Sequence, residues 1–230
     1  MKKYGIILID ADDTIFDFHK SEYCALKLAC ENCKANFSDE TAEVYSQIND
    51  SLWKSLERGE ITRKELHYLR FEKFCAAVGF STEKENVLKL NENYVLALSQ
   101  QIFPLGNAFE ALDVLAKRCA IYIITNGMAR VQRPRFEKSG LNRYVNGIFI
   151  SEEMNVSKPS AVFFKQVLRE IHVTDKGNVL VVGDSLTSDM QGGRNSGLDT
   201  CLFDFKNRIE MPHPLCDYKI TRLDELLRFV

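Results

Sequence analysis

Three short apolar runs along the chain each end at a polar residue. The runs cover residues 5–9, 120–124 and 178–183, and the residues that follow them are Asp10, Thr125 and Asp184. Runs this short and this apolar predict strands that are buried on both faces of a parallel sheet. Ligands in an open α/β sheet bind beyond the carboxyl ends of the strands. We therefore expect the polar residues after the runs to meet at one edge of the sheet.

Beyond residue 104 the pattern predicts strands and helices in alternation, which is typical of a parallel sheet covered by helices. The predicted strands are 120–125, 147–150, 178–183 and 200–203, with a possible edge strand at 218–220. The predicted helices are 109–117, 129–139, 160–171 and 187–195, with a closing helix at 223–229.

The region from residue 17 to 101 contains no convincing strand and reads as helical. Thr62 and Thr82 are each followed three residues later by a glutamate, the spacing of a capping box at a helix start. One helical stripe of apolar residues comprises Phe71, Phe74, Cys75 and Val78. We predict a Rossmann-like α/β core made of residues 1–16 and 104–230, interrupted by an all-helical cap over residues 17–103.

Composition narrows the class of protein. The chain has 230 residues, 45% of them hydrophobic, which is enough for one domain with a large insert. Its net charge is −2, so neither nucleic acid nor an anionic membrane is an expected partner. Aspartates from Asp10 onward interrupt the first apolar run too early for a signal peptide. The seven scattered cysteines suit reduced thiols, and we expect a cytoplasmic protein.

Four carboxylates carry the predicted chemistry. Asp10 and Asp12 leave the first strand and can face one pocket, where one can act as nucleophile and the other as general acid and base. Asp184 and Asp189 follow the third apolar run, and such oxygen ligands suit Mg²⁺. Capped turns are the alternative interpretation of each pair. The four charges would however repel one another strongly without a cation.

Two further segments point to a phosphate group. Thr125, Asn126 and Gly127 offer a hydroxyl, an amide and a backbone N–H, which can hold phosphate oxygens or can simply cap a helix. Lys158 precedes a predicted helix. A cation at a helix N-terminus is unfavourable unless an anion lies nearby. This misfit favours a lysine that faces phosphate.

The motifs D-x-D-x-T, T-N, K-P and G-D-x-x-x-x-D, in this order, resemble the haloacid dehalogenase (HAD) superfamily over the whole chain. The helical insert resembles the C1-type cap of that superfamily. Residues 52–62, Arg70 with Phe71, and residues 184–189 are similar to the superfamily's bacterial pyrimidine 5′-nucleotidases.

The resemblance implies a phosphatase mechanism. Asp10 would attack phosphorus and form an aspartyl-phosphate, and Asp12 would protonate the leaving alkoxide and then activate water. Thr125 and the Asn126 backbone would hold the phosphoryl oxygens. Lys158 would neutralise the developing charge.

The resemblance also implies a Mg²⁺ site. The ligands would be the Asp10 carboxylate, the Asp12 main-chain carbonyl and Asp184, with Asp189 ordering a metal-bound water or Lys158. Ser185 departs from the family pattern, in which a second acid follows Asp184, so coordination must rely on Asp189. The acid at Asp12 argues against a dehalogenase, which needs no acid for its leaving group.

Several alternatives remain at this point. The substrate, a small phosphomonoester, can be a pyrimidine nucleoside 5′-monophosphate, phosphoglycolate or a sugar phosphate, and a phosphomutase would share the core motifs. Candidate cap residues for reading a base are Trp53, Arg63, Arg70 and Phe71, although buried aromatics and solvated arginines are common. A receiver-type signalling domain is the non-enzyme alternative, but its acceptor aspartate follows its third strand. We expect a monomer or a homodimer.

Overall fold

The computed structural model describes residues 2–230, which form two compact units. The first unit contains the chain up to Asp17 and then Phe103–Val230, and the second is Phe18–Ile102. The first unit is an α/β structure and the second contains helices only.

The sheet of the first unit has six parallel strands. In chain order they are β1 Ile6–Ile9, β2 Ala120–Thr125, β3 Gly147–Ile150, β4 Val179–Gly183, β5 Asp199–Phe203 and β6 Tyr218–Ile220. Their order across the sheet is β3-β2-β1-β4-β5-β6. This order is the doubly wound arrangement and confirms the predicted Rossmann-like parallel sheet.

The sheet order fixes where a site can form. The chain adds strands outward from β1 on both sides, so its winding direction reverses beside β1, and a crevice opens there at the carboxyl ends. Ile9 is opposite Ile123 on β2 and Val182 on β4. The Asp10 N–H donates to the Val182 carbonyl (2.9 Å). The residues after β1, β2 and β4 therefore leave the sheet side by side.

The second unit consists of four helices, α1 Phe18–Cys33, α2 Asp39–Glu57, α3 Arg63–Val78 and α4 Lys84–Leu98. The predicted capping box at Thr62 is confirmed, because Thr62 and Glu65 exchange hydrogen bonds at the start of α3. The one predicted at Thr82 is wrong. There α4 begins at Lys84 with Glu83 as N-cap, and the hydroxyl of Ser81 accepts from the Glu83 N–H instead.

Aromatic side chains fill the interior of the helical unit. Tyr45 lies 5.1 Å from Phe71, 5.5 Å from Phe74 and 5.3 Å from Tyr94, measured between ring centroids. Phe71, Phe74 and Cys75 of the predicted stripe are fully buried. The stripe is therefore a packing face, and α1 carries Cys30 and Cys33 as free thiols.

The helices of the α/β unit are α5 Ala108–Leu115, α6 Ala129–Ser139, α7 Ser151–Met154, α8 Ala161–Glu170 and α9 Gln191–Asn195. Two predicted helices differ in type. The segment predicted as helix 187–195 begins with a π-helical turn, Leu186–Met190, in which the Met190 N–H reaches back to the Ser185 carbonyl (3.0 Å). The closing helix is a 3₁₀ segment, Leu223–Arg228. Across residues 2–230, no helix has both the length and the apolar character needed to cross a membrane.

Candidate active site

Three carboxylates meet at the carboxyl ends of β1 and β4. Asp10 follows β1, Asp184 follows β4, and Asp189 lies in the π-helical turn, with one oxygen of each within 4.8 Å of the others. Asp10 and Asp189 are buried and Asp184 is half-buried. The structure thus brings together three of the four acids that the sequence analysis singled out.

The π-helical turn and Gly183 allow Asp189 to join the cluster. A Cβ atom at Gly183 would overlap the Asp189 carboxylate, so only glycine permits this close approach. The Ser185 N–H donates to Asp189 Oδ2 (3.3 Å) and holds the side chain over the strand end. π-helical turns are rare in proteins, and those that occur often lie at functional sites.

Lys158 supplies the positive charge inside the cluster. Its Nζ donates to Asp10 Oδ1 (2.5 Å), to Asp189 Oδ1 (2.6 Å) and to the Ile124 carbonyl (2.9 Å). The side chain is 2% exposed. Sequence reasoning placed this lysine at a helix N-terminus, but α8 begins three residues later at Ala161. The anions that the lysine was expected to need are Asp10 and Asp189.

The cluster contains more carboxylates than cationic groups. Burial raises the pKa of Asp10 to about 8; Lys158 opposes this rise, while the charges of Asp189 and Asp12 add to it. Burial and the charges of Asp10 and Asp189 raise the pKa of Asp184 well above its ordinary value. Burial alone would lower the pKa of Lys158, but the two carboxylates that it contacts outweigh burial and raise it.

A divalent cation fits this donor set. Three carboxylates against one ammonium group leave a formal charge of about −2, and hard oxygen ligands are those that Mg²⁺ prefers. Asp10, Asp184 and Asp189 are the residues that could hold the ion.

The carboxylate of Asp12 is not part of this cluster. It points to α6, where Arg135 Nη1 donates to Oδ1 (2.6 Å) and Gln132 Nε2 donates to Oδ2 (2.7 Å). The group of Asp12 that was predicted to bind the metal is its main-chain carbonyl, and that role stays a prediction. The side chain is 24% exposed, so it remains open to a reactant while two donors hold it.

The side-chain amide of Asn126 pairs with the backbone of Lys158. Its Nδ2 donates to the Lys158 carbonyl (2.9 Å), and its Oδ1 accepts from the Lys158 N–H (3.0 Å). The amide that was expected in the phosphate cradle thus holds the backbone of Lys158, because an amide can pair with the N–H and the C=O of one residue. Contact between the Asn126 backbone and phosphate stays a prediction.

Thr125 lies beside Asp12 at the end of β2. Its hydroxyl oxygen accepts from the Gly127 N–H (3.1 Å) and from Gln132 Nε2 (3.0 Å), and the residue is 1% exposed. Thr14 Oγ1 lies 3.5 Å from Asp184 Oδ1, so both ends of the D-x-D-x-T motif contact the site.

Sequence reasoning missed Gln132 and Arg135. Both are fully buried on the inner face of α6, between the apolar residues Val131 and Phe136. The Arg135 guanidinium also stacks 4.9 Å from the centroid of the Phe16 ring. The available signal was that two polar residues occupy an otherwise apolar helix face, where burial requires polar partners.

The cap candidates fall into two pairs. Trp53 and Arg63 are partly exposed, with the guanidinium 5.9 Å from the indole ring. Arg70 and Phe71 are buried, and the Arg70 guanidinium lies 5.3 Å from the Phe71 ring. A role in substrate binding stays a prediction for all four.

Comparison with known proteins identifies the family. The family model for haloacid dehalogenase-like hydrolases matches residues 4–197, so the chain belongs to this family of enzymes. This confirms the resemblance inferred from the motifs.

Relatives match nearly the whole chain. Pyrimidine 5′-nucleotidase PynA of Streptococcus pneumoniae is 36% identical over 86% of this chain and 82% of its own length. Pyrimidine 5′-nucleotidase YjjG of Escherichia coli is 34% identical over 97% of this chain and 96% of its own length. The crystal structure of HAD-hydrolase YfnB of Bacillus subtilis, bound to magnesium, is 32% identical with a TM-score of 0.91, over 99% of this chain and 98% of that one.

Proposed function

We propose that the protein is a Mg²⁺-dependent hydrolase of phosphate monoesters that works through an aspartyl-phosphate. The observation that carries this proposal is the surrounding of Asp10. Its carboxylate lies at the carboxyl end of a central strand, in a cluster with Asp184 and Asp189 and in contact with Lys158. Asp12, a second acid with a separate set of partners, follows two residues later.

In the first half-reaction a carboxylate oxygen of Asp10 attacks phosphorus, and the bond between phosphorus and the ester oxygen breaks. Asp12 gives its proton to the departing oxygen, so the product leaves as an alcohol. The Thr125 hydroxyl donates a hydrogen bond to a phosphoryl oxygen. Lys158 offsets part of the negative charge that collects on Asp10 and the phosphoryl group.

In the second half-reaction water attacks the phosphorus of the aspartyl-phosphate. Asp12, now ionised, accepts the proton of the water, and the bond between phosphorus and Asp10 breaks. Inorganic phosphate leaves, and both aspartates return to their initial states. One acid thus serves twice, as donor and then as acceptor.

Asp10, Asp184 and Asp189 would hold Mg²⁺. When bound, the ion supplies positive charge that offsets the repulsion between the carboxylates and a phosphate dianion. The cluster of three carboxylates against one lysine supports this requirement.

We propose pyrimidine nucleoside 5′-monophosphates as the substrates. The relatives PynA and YjjG, at 36% and 34% identity over most of the chain, support this class. Within the helical unit, Trp53 and Arg63 are partly exposed and offer a stacking surface and a cation for a base, whereas Arg70 and Phe71 are buried. We therefore assign base contact to Trp53 and Arg63 first.

The test is phosphate release with and without Mg²⁺ from a panel of esters. The panel contains UMP, dUMP, dTMP, purine nucleotides, sugar phosphates and phosphoglycolate, with Asp10→Asn as the matched control. We expect selective cleavage of the pyrimidine nucleotides, dependence on Mg²⁺, and a loss of at least about 10⁴-fold in the control with an unchanged circular dichroism spectrum.

Each other outcome is informative. Cleavage of sugar phosphates or phosphoglycolate in preference to nucleotides would keep the mechanism and reject the substrate class. Near-normal activity of Asp10→Asn would reject the covalent mechanism. A stable aspartyl-phosphate without turnover would favour the signalling alternative.

A further inference from the structure

We infer that Gln132 is a positioning residue that ties the acid–base group Asp12 to the phosphate-holding hydroxyl of Thr125, with Arg135 fixing its orientation. The inference rests on the proposed function, because it concerns how Asp12 and Thr125 are held in place for that reaction. It concerns the inner face of α6, which no motif of the sequence marked.

Gln132 makes three hydrogen bonds with its side-chain amide. Nε2 donates to Asp12 Oδ2 (2.7 Å) and to Thr125 Oγ1 (3.0 Å), and Oε1 accepts from Arg135 Nη1 (2.9 Å). Both hydrogens of the NH₂ group and the carbonyl oxygen are therefore in use. The residue is 0% exposed, so water does not compete for these positions.

Arg135 determines which way the amide faces. In the opposite orientation the amide oxygen would meet the Asp12 carboxylate and the NH₂ group would meet the guanidinium, and both contacts would be repulsive. Arg135 Nη1 also donates to Asp12 Oδ1 (2.6 Å). The arginine thus holds the carboxylate directly and, through Gln132, a second time.

This network has a consequence for each of the two groups that it joins. Asp12 accepts one hydrogen bond on each oxygen, which fixes the rotation of its carboxylate. The Thr125 oxygen accepts two hydrogen bonds, from Gln132 and from the Gly127 N–H, so its own hydrogen is directed to a third position. In the proposed reaction that position is a phosphoryl oxygen.

Gly127 leaves room for this arrangement. A Cβ atom at position 127 would lie 2.8 Å from Gln132 Cγ, closer than such carbons approach one another. The glycine after Thr125 and Asn126 is thus explained by the packing of the positioning residue against the loop.

The test compares two esters with different leaving groups. Gln132→Met keeps the length of the side chain and removes all three of its hydrogen bonds. A nucleoside 5′-monophosphate releases a poor leaving alkoxide and needs the acid, whereas p-nitrophenyl phosphate releases a good leaving group and needs it little. We expect kcat/KM to fall at least about tenfold more on the nucleotide than on p-nitrophenyl phosphate, because the loss through Thr125 is shared by both esters and the loss through Asp12 is not.

The matched control is Arg133→Met on the same helix. Arg133 forms an exposed ion pair with Glu153, and its replacement is expected to leave both esters at wild-type rates. Gln132→Glu is a second variant, which removes both donors and keeps an acceptor for Arg135. It replaces Gln132→Met if that protein does not fold, and the same ratio of losses is expected.

A double-mutant cycle tests the coupling to Asp12. In an Asp12→Asn background, Gln132→Met should cost clearly less additional activity on the nucleotide than in the wild type, because only the effect through Thr125 remains. Equal losses on both esters, or additive losses in the cycle, would overturn the inference while the proposed function stands. Wild-type protein that cleaves neither ester would instead overturn the proposed function, and the inference with it.

Discussion

The α/β unit and the helical unit bury charged groups in different ways. At the sheet edge Lys158, which precedes α8, pairs with Asp10 after β1 and with Asp189 in the π-helical turn after β4. Within the helical unit Arg70 is 1% exposed, lies 4.9 Å from the Tyr94 ring and donates to Asn91 Oδ1 (3.0 Å). The first environment is ionic, and the second is mostly aromatic.

The difference shows where binding chemistry can arise. Parallel strands bring the side chains that follow them to a single edge whatever their charge, and here that edge keeps more carboxylates than cations, an excess that a ligand can offset. In the helical unit the buried Arg70 lies between aromatic rings instead. Burial raises the pKa of the Tyr94 phenol well above its ordinary value.

Loss of Lys158 should have the largest effect. Lys158→Met leaves Asp10 and Asp189 without their cation in a buried site, and removal of one partner of a buried ion pair costs about 3–5 kcal/mol. We expect a lower free energy of unfolding in urea. We also expect Mg²⁺ to stabilise the variant more than the wild type, since more negative charge remains uncompensated.

Lys117→Met is the matched control for that substitution. Lys117 pairs with Asp113 on the surface of α5, where its side chain is 68% exposed, so its loss should hardly change the unfolding midpoint. Equal destabilisation by the two variants would contradict the electrostatic account of the cluster.

In the helical unit we expect stability and substrate binding to separate. Phe74→Ala should lower the free energy of unfolding by about 3–5 kcal/mol because the ring is fully buried against Tyr45, with kcat little changed in the folded fraction.

Trp53→Ala should hardly affect stability but should raise KM for a pyrimidine nucleotide and not for p-nitrophenyl phosphate. An unchanged KM for both esters would remove Trp53 from the proposed base contact.

The smallest difference between the two units is expected for their buried thiols, which should be equally unreactive. Burial raises the pKa of Cys75 and Cys119 to about 11, and burial together with neighbouring groups raises that of Cys30 to about 12. At pH 8 the thiolate fraction of each of these cysteines should be smaller than that of a free thiol by a factor on the order of 10² or more. Their reaction with a disulfide reagent should be slower to the same extent. Fast labelling of any of them in the native protein would contradict this.

Local patterns were sufficient for much of the fold. The sequence predicted β2 at 120–125, α6 at 129–139, β3 at 147–150 and the edge strand at 218–220 with the bounds that the structure shows. Apolar runs and flanking turn residues report on their own burial, so their ends are local information. The Thr82 capping box was wrong because Ser81, its neighbour, accepts the Glu83 N–H instead. The regular helix at 187–195 was wrong because it begins with a π-helical turn, in which Asp189 contacts the distant Lys158.

The acids of the site were predictable for the same reason. Asp10 and Asp184 each follow a buried strand, and parallel pairing alone brings such positions to one edge. Asn126 shows the limit of this reasoning. Its amide suited a phosphate equally well, and only the position of the Lys158 backbone decided which partner it has.

The sequence by itself determined which residue types stand at the strand ends, and therefore the class of chemistry, because strand burial and chain direction follow from local periodicity. The tertiary structure alone decided the pairings. Asp12 meets Gln132 and Arg135 across more than a hundred residues, and Lys158 meets Asp10 across a similar separation. Periodicity reports that a polar residue is buried, whereas its partner depends on strand order and on the rotation of each helix against the sheet.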